Sequence, residues 1–277
     1  MVPALLEQVG AADGEGERGV IASITIHNWT IYVAYVSGPV NVTGPIEGSD
    51  RMGLVFDVGG ESVAIEPEAV VIAGFTGRDR EAVEAHLDEL RDLGVPTPDS
   101  VPCFYLAPGS AAVQSDRLVT VGSETSGEAE VVLVFDGDDV LLTLGSDHTD
   151  RAAEAVDIAL SKRVCPKILA RDAWPFAAVE DRLDRLVLTS WIDHETETAY
   201  QHGLLGELMD LRELSDTVPY SARPDRVVLF TGTLAAIGGI RPSTRFRARL
   251  DDPEAERSIE LDYRIDVLDV LHTDGGR

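Results

Sequence analysis

Residues 126–167 read SGEAEVVLVFDGDDVLLTLGSDHTDRAAEAVDIALSKRVCPK, and the fold turns on this stretch. The run EAEVVLVF is rich in β-branched residues and predicts a strand. FDGDD is a hairpin signal, and VLLTLGSD predicts the return strand. Side chains alternate along a strand, so Glu128 and Glu130 point to one face. If Gly137-Asp138 forms the turn, Asp136 faces Asp139, and counting outward puts Asp147 opposite Glu128. With Asp136-Gly137 as the turn, Asp147 moves only to a diagonal neighbour. In either register three carboxylates share a face. They cannot all stay ionised at low cost without a cation. Oxygen ligands alone favour a hard ion: Mg²⁺, Mn²⁺ or Ca²⁺. In a chain with 49 Asp+Glu, however, Glu-x-Glu by itself carries little weight.

The residues after the hairpin add weight. Asp147-x-Thr149-x-Arg151, then Lys162 shortly before Cys165-Pro166, resembles the core of the fumarylacetoacetate hydrolase superfamily. That core carries Glu-x-Glu on one strand, then Asp-x-(Thr/Ser)-x-Arg, then a lysine ahead of a proline turn. The resemblance implies a β-rich α+β fold, a fumarylacetoacetase-like mixed β-sandwich roll. It also implies Glu128, Glu130 and Asp147 as metal ligands, and Lys162 as a catalytic cation.

Working outward, His86 and Glu89 lie three apart in DREAVEAHLDELRDL, a helix that Asp79 could cap through about Leu93. In the superfamily's hydrolases a Gly-x-Asn-Tyr-x-x-His-x-x-Glu segment supplies a catalytic dyad. Gly77-Arg78-Asp79 and His86-x-x-Glu89 look like that segment, with Asp79 for Asn, Arg80 for Tyr and three extra residues before the histidine. VPCFYLAPGSAAV resembles the segment Pro-x-x-(Phe/Tyr)-x-Lys-Pro-x-Ser-Ala, with Tyr105 in the aromatic position and Ala107 for the lysine. ETETAYQHG is similar to the family's turn at Glu197, Gln201 and Gly203. PDRVVLFTGTLAAIGG is similar to its Thr-Gly-Thr segment at Thr231, Gly232 and Thr233, with Leu234 for a proline. The resemblance thus assigns Arg78, Tyr105, Arg151, Gln201, Thr231, Gly232 and Thr233 to substrate binding. It runs collinearly over roughly residues 70 to 270.

Composition and pattern also divide the chain. Residues 1–19, dominated by Gly, Asp and Glu, predict a disordered tail. Residues 20–95 predict a small β-rich N-terminal region ending in the helix. Residues 96–277 predict the metal-binding core. DRAAEAVDIALSK predicts one continuous helix from Asp150 to Lys162.

Composition excludes several classes. Against the 49 acids stand 23 Lys+Arg, a formal net charge of −26, and only two lysines, Lys162 and Lys167. Such a surface repels nucleic acids and anionic membranes and has the character of a halophile's surface. No apolar run reaches the ~18 residues of a membrane span. Two cysteines, Cys103 and Cys165, in a chain this long fit a reduced cytoplasm. The N-terminus has no signal-peptide pattern, so a cytoplasmic location is expected. The resemblance further implies a homodimer and a 2-oxo or 2,4-dioxo acid substrate. It implies a hydrolase that breaks a C–C bond of an acylpyruvate-like acid through a metal-stabilised enolate. A hydratase, decarboxylase or isomerase on the same chemistry, or a non-catalytic binding protein keeping the fold, are the alternatives.

Overall fold

The computed structural model describes residues 19–26, 29–36, 53–92, 97–193, 198–219 and 224–268. Most of the expected tail, and Glu197, lie outside the described residues. The chain divides into two units, Met1–Asp50 and Arg51–Arg277. The first holds an antiparallel pair, β1 (Gly19–Ile26) and β2 (Trp29–Val36), with Ile26 opposite Trp29.

The second unit begins with β3 (Leu54–Val58), β4 (Glu61–Ile65), β5 (Ala69–Gly74) and helix α1 (Arg80–Asp92). Next come β6 (Cys103–Pro108), β7 (Ala112–Val113), β8 (Arg117–Val121), β9 (Thr125–Ser126), β10 (Ala129–Asp136) and β11 (Asp139–Ser146). Then come β12 (Thr149–Asp150), α2 (Arg151–Glu154), α3 (Ile158–Val164), β13 (Lys167–Leu169) and β14 (Trp174–Pro175). The unit closes with β15 (Val187–Ile192), β16 (Gln201–Leu204), α4 (Leu211–Thr217), β17 (Arg226–Thr233), β18 (Arg245–Asp252) and β19 (Arg257–Leu268).

An eight-stranded mixed sheet runs β6-β5-β17-β10-β11-β13-β7, with β14 also on β11, and a five-stranded sheet runs β16-β15-β18-β19-β8. Val131, Leu133 and Phe135 of β10 pack in one core with Ile259, Leu261 and Tyr263 of β19. Val132 and Val134 point the other way, into a second core with Leu54, Phe56 and Ile65 of the β3–β4 hairpin. β10 is therefore covered on both faces, which is why EAEVVLVF reads as a nearly unbroken apolar run. Each such Val or Leu contributes about 1.5–3 kcal/mol on full burial. The expected β-rich α+β roll, with few and short helices, is the fold observed.

Two expectations change. The boundary expected between residues 95 and 96 falls inside the second unit. β5, on the expected N-terminal side, pairs with β17 and β6 in the interior of the large sheet. Its residues alternate between the two cores, Val71 and Ala73 in one and Val70 and Ile72 in the other, so it needs cover on both sides. The expected helix from Asp150 to Lys162 is also broken into α2 and α3. Asp157 takes an extended φ of −157° and its Oδ1 accepts the Leu160 N–H at 2.9 Å. That local cap competes with the helix and restarts it.

Candidate functional site

The β10–β11 hairpin sets the site. Asp136 pairs with Asp139 and Ala129 with Ser146, the register in which Gly137-Asp138 makes the turn. Gly137 takes the required positive φ of 62°. The pairing continues past the strands: the Asp147 N–H donates to the Glu128 carbonyl at 3.0 Å, and Thr149 lies opposite Ser126. Asp147 thus sits opposite Glu128. On the other edge of β10 the register with β17 shifts by one residue between Glu130 and Val132. The extra residue falls at Thr231-Gly232, a β-bulge. Gly232 has φ 96° and its N–H donates to Glu130 Oε2 at 2.8 Å. A Cβ there would lie 1.8 Å from Thr76 Oγ1, so both the backbone angle and the close approach demand glycine.

Cations converge on the same pole. Lys162, on α3, places its Nζ 2.5 Å from Asp147 Oδ2 and 3.4 Å from Glu128 Oε2. One ammonium thus spans both acids, which lie within about two hydrogen-bond lengths of each other. Lys167 Nζ lies 2.6 Å from Asp147 Oδ1. Arg151 donates to Ser126 Oγ at 2.7 Å and to Glu154 Oε2 at 2.6 Å, and its Nη2 lies 3.1 Å from Glu128 Oε1.

These contacts fix the charge states. Burial opposes the ionisation of Asp147, but the two lysines together outweigh it and hold its pKa below the carboxylate range. Burial also opposes the charge of Lys162, and Asp147, Glu128 and Glu154 together raise its pKa above the usual value. Glu130 is the reverse case. Burial first, then the neighbouring Asp147 and Glu128, push its pKa well above normal. It is 2% exposed and makes no salt bridge among the described residues. His148 is kept neutral, its pKa lowered to about 3 by burial and by the charges of Lys167 and Arg151. Its Nδ1 shares a hydrogen bond with the Tyr263 hydroxyl at 2.9 Å.

As the side chains stand, no three His, Cys, Asp or Glu among the described residues converge on one metal-sized point. The three acids share a face, as expected, but Lys162 and Arg151 engage Glu128, and both lysines engage Asp147. The chain's own nearest cations compensate the clustered negative charge. The donor set still fits a hard divalent ion, because Glu130 is a buried carboxyl group that makes no salt bridge among the described residues and lies beside two further acids. Glu128, Glu130 and Asp147 are the residues that could hold one.

The remaining expected residues divide into supports and surface groups. The Gln201 amide, 1% exposed, accepts from the Ala129 N–H at 2.9 Å and Ser190 Oγ at 2.8 Å. It donates to Thr233 Oγ1 at 2.6 Å and the Leu234 carbonyl at 2.7 Å. All four of its hydrogen-bonding positions are used, so Gln201 holds the Glu-x-Glu strand in place rather than facing a ligand. Thr231 and Thr233 likewise donate to the Val131 and Ala129 carbonyls at 2.8 and 2.7 Å. Gly232 and Arg151 are at the site, but they serve Glu130 and Glu128 directly. Tyr105 lies half-buried on β6, its ring against Gly74. Arg78 forks onto Asp184 at 2.9 and 2.7 Å and donates to the Leu208 carbonyl at 2.9 Å, tying the loop before α1 to the body. His86 and Glu89 lie on α1, which Asp79 caps as expected, and their side chains lie outside the described residues.

Lys167 is the site residue that motif matching misses. Its signal is scarcity: it is one of only two lysines in the chain, and both grip Asp147.

The same fold occurs in several solved enzymes. Fumarylpyruvate hydrolase from Pseudomonas aeruginosa, solved in complex with Mn²⁺ and pyruvate, is similar with a TM-score of 0.54 and 16% identity, over 80% of this chain and 99% of that one. A 2-keto-3-deoxyarabinonate dehydratase is similar with a TM-score of 0.53 and 12% identity, over 94% of this chain and 99% of that one. At these identities the likeness is one of fold. Residues 73–263 match the family described as protein of unknown function (DUF2848), and the chain belongs to that family. No curated protein matches the chain by sequence. Among the described residues, no helix is long and apolar enough to cross a membrane.

Proposed function

We propose that this chain is a divalent-metal-dependent enzyme acting on a 2-oxo acid, and that it hydrolyses a C–C bond of a 2,4-dioxo acid. The observation that carries this reading is Glu130, a buried carboxyl group that makes no salt bridge among the described residues, set beside Glu128 and Asp147. The Mn²⁺ and pyruvate in the Pseudomonas aeruginosa enzyme of the same fold support it. A divalent cation held by Glu128, Glu130 and Asp147 would supply a Lewis acid for the substrate's carboxylate and 2-oxo oxygens. Lys162 keeps a full positive charge at the same pole, where it would offset negative charge developing on a substrate oxygen. His86, oriented by Glu89, would take a proton from water as it adds to the distal carbonyl. The C–C bond next to that carbonyl breaks, and the carbon left behind takes up a proton. The products are a carboxylic acid and a 2-oxo acid.

A dehydratase shares the fold, so loss or addition of water at a 2-oxo acid is the second reading. It needs the acids and Lys162 but not His86. The test is turnover of a panel of 2-oxo and 2,4-dioxo acids with Mg²⁺ or Mn²⁺, with and without chelator. The reading expects turnover that chelation stops and that Glu130→Gln abolishes. Turnover indifferent to both treatments would overturn it.

A further inference from the structure

The proposed chemistry gives no task to Lys167, yet few side chains in the molecule are placed so restrictively. Lys167 opens β13, which pairs in parallel with β7, and its side chain is 0% exposed. Its Nζ donates to the His148 carbonyl at 2.7 Å and lies 2.6 Å from Asp147 Oδ1. Lys162 already contacts the other oxygen of the same carboxylate, at 2.5 Å. One ammonium and a neutral donor would have satisfied Asp147. A second complete charge, removed from water, is costly unless it is paired, and it alters the electrostatic balance of everything nearby. Glu128, Glu130, Asp147 and Glu154 face Lys162, Lys167 and Arg151, so the cluster holds four acids against three bases. Without Lys167 it would hold four against two, a stronger trap for a dication and a poorer one for an anion.

We propose that Lys167 is a positioning residue that sets the charge of this site: it fixes Asp147 through Oδ1, weakens the hold on a divalent cation and strengthens the hold on an anionic 2-oxo acid. This rests on the metal-dependent reading of the site. The two ligands respond to the same charge with opposite signs, and that is what separates the role from plain structural support. A clasp that only held Asp147 in place would, on removal, weaken both ligands.

The test uses metal-stripped full-length protein carrying Lys167→Met or Lys167→Gln. Glutamine can still donate to the His148 carbonyl but has no charge. Mn²⁺ binding is measured by calorimetry, and pyruvate binding is measured at saturating Mn²⁺, with thermal melts run alongside. Both variants should bind Mn²⁺ at least about tenfold more tightly and pyruvate at least about tenfold more weakly, the scale of one unit charge a few ångströms away in a partly screened interior. Mn²⁺ binding that is unchanged or weaker in both variants overturns the role of Lys167, as does a Lys167→Gln protein that behaves like the parent. If the unsubstituted protein itself binds no Mn²⁺, the metal-dependent reading fails and this proposal with it. The two failures are therefore told apart by the parent protein alone.

Discussion

Replacing Gly232 by alanine tests the bulge that aims a backbone N–H at Glu130. Gly232 has φ 96°, where a residue with a Cβ is strained by about 1–3 kcal/mol. The new Cβ would also stand 1.8 Å from Thr76 Oγ1 and 3.0 Å from Thr76 Cβ. Relieving such an overlap moves side chain or backbone, at about 1–3 kcal/mol. The two terms give a loss of about 2–6 kcal/mol, and a unit of this size loses about 2–4 °C of Tm per kcal/mol. Gly232→Ala should therefore melt at least about 4 °C lower in differential scanning calorimetry. The double variant Gly232→Ala/Thr76→Ala should recover the part due to Oγ1 and keep the part due to φ. If Gly232→Ala melts with the parent protein, the bulge does not constrain this position. If the double variant recovers nothing, the close approach to Thr76 is not what the alanine meets.

The net charge of −26 predicts a protein stabilised by salt. Self-repulsion reaches ~30 Å at 0.01 M salt and only ~3 Å at 1 M, so molar KCl should raise Tm well above its value in dilute buffer, and an unchanged Tm would refute this. If the chain is a hydrolase, His86→Ala should lower kcat about 10²- to 10⁴-fold, the usual share of a general base, while Mn²⁺ affinity stays the same. Full turnover in His86→Ala, with none in Glu130→Gln, would move the assignment to the dehydratase reading.

The hairpin is legible in the sequence because three local signals agree: two apolar runs, the turn residues of DGD between them, and acids spaced at the strand period. Those signals place Asp147 opposite Glu128 or one diagonal step away, and the observed pairing takes the first. The bulge at Gly232 is less visible, since it exists only through the pairing of β17 with β10, a contact between residues about a hundred positions apart. Gln201 reads as a ligand group only through the resemblance of ETETAYQHG to the family's turn. Its partners, the Ala129 N–H and the Leu234 carbonyl among them, become neighbours only in the folded chain. β5 falls on the wrong side of the expected boundary because a six-residue apolar strand looks the same in a small region as in a large sheet. Lys167 is visible in the sequence as one of two lysines, but no motif assigns it a role, and its approach to Asp147 arises only in the folded chain.

The confinement of both lysines has a practical side. Lys162 is 7% exposed and Lys167 0%. In the folded protein, acylating or reductively methylating reagents would find no freely exposed lysine amine on the body of the molecule. Modification at either position then becomes a clock for how often this pole of the sheet opens. Peptide mapping of a timed labelling reaction, run with and without a bound dication, would read that opening rate directly at the residues that hold Asp147.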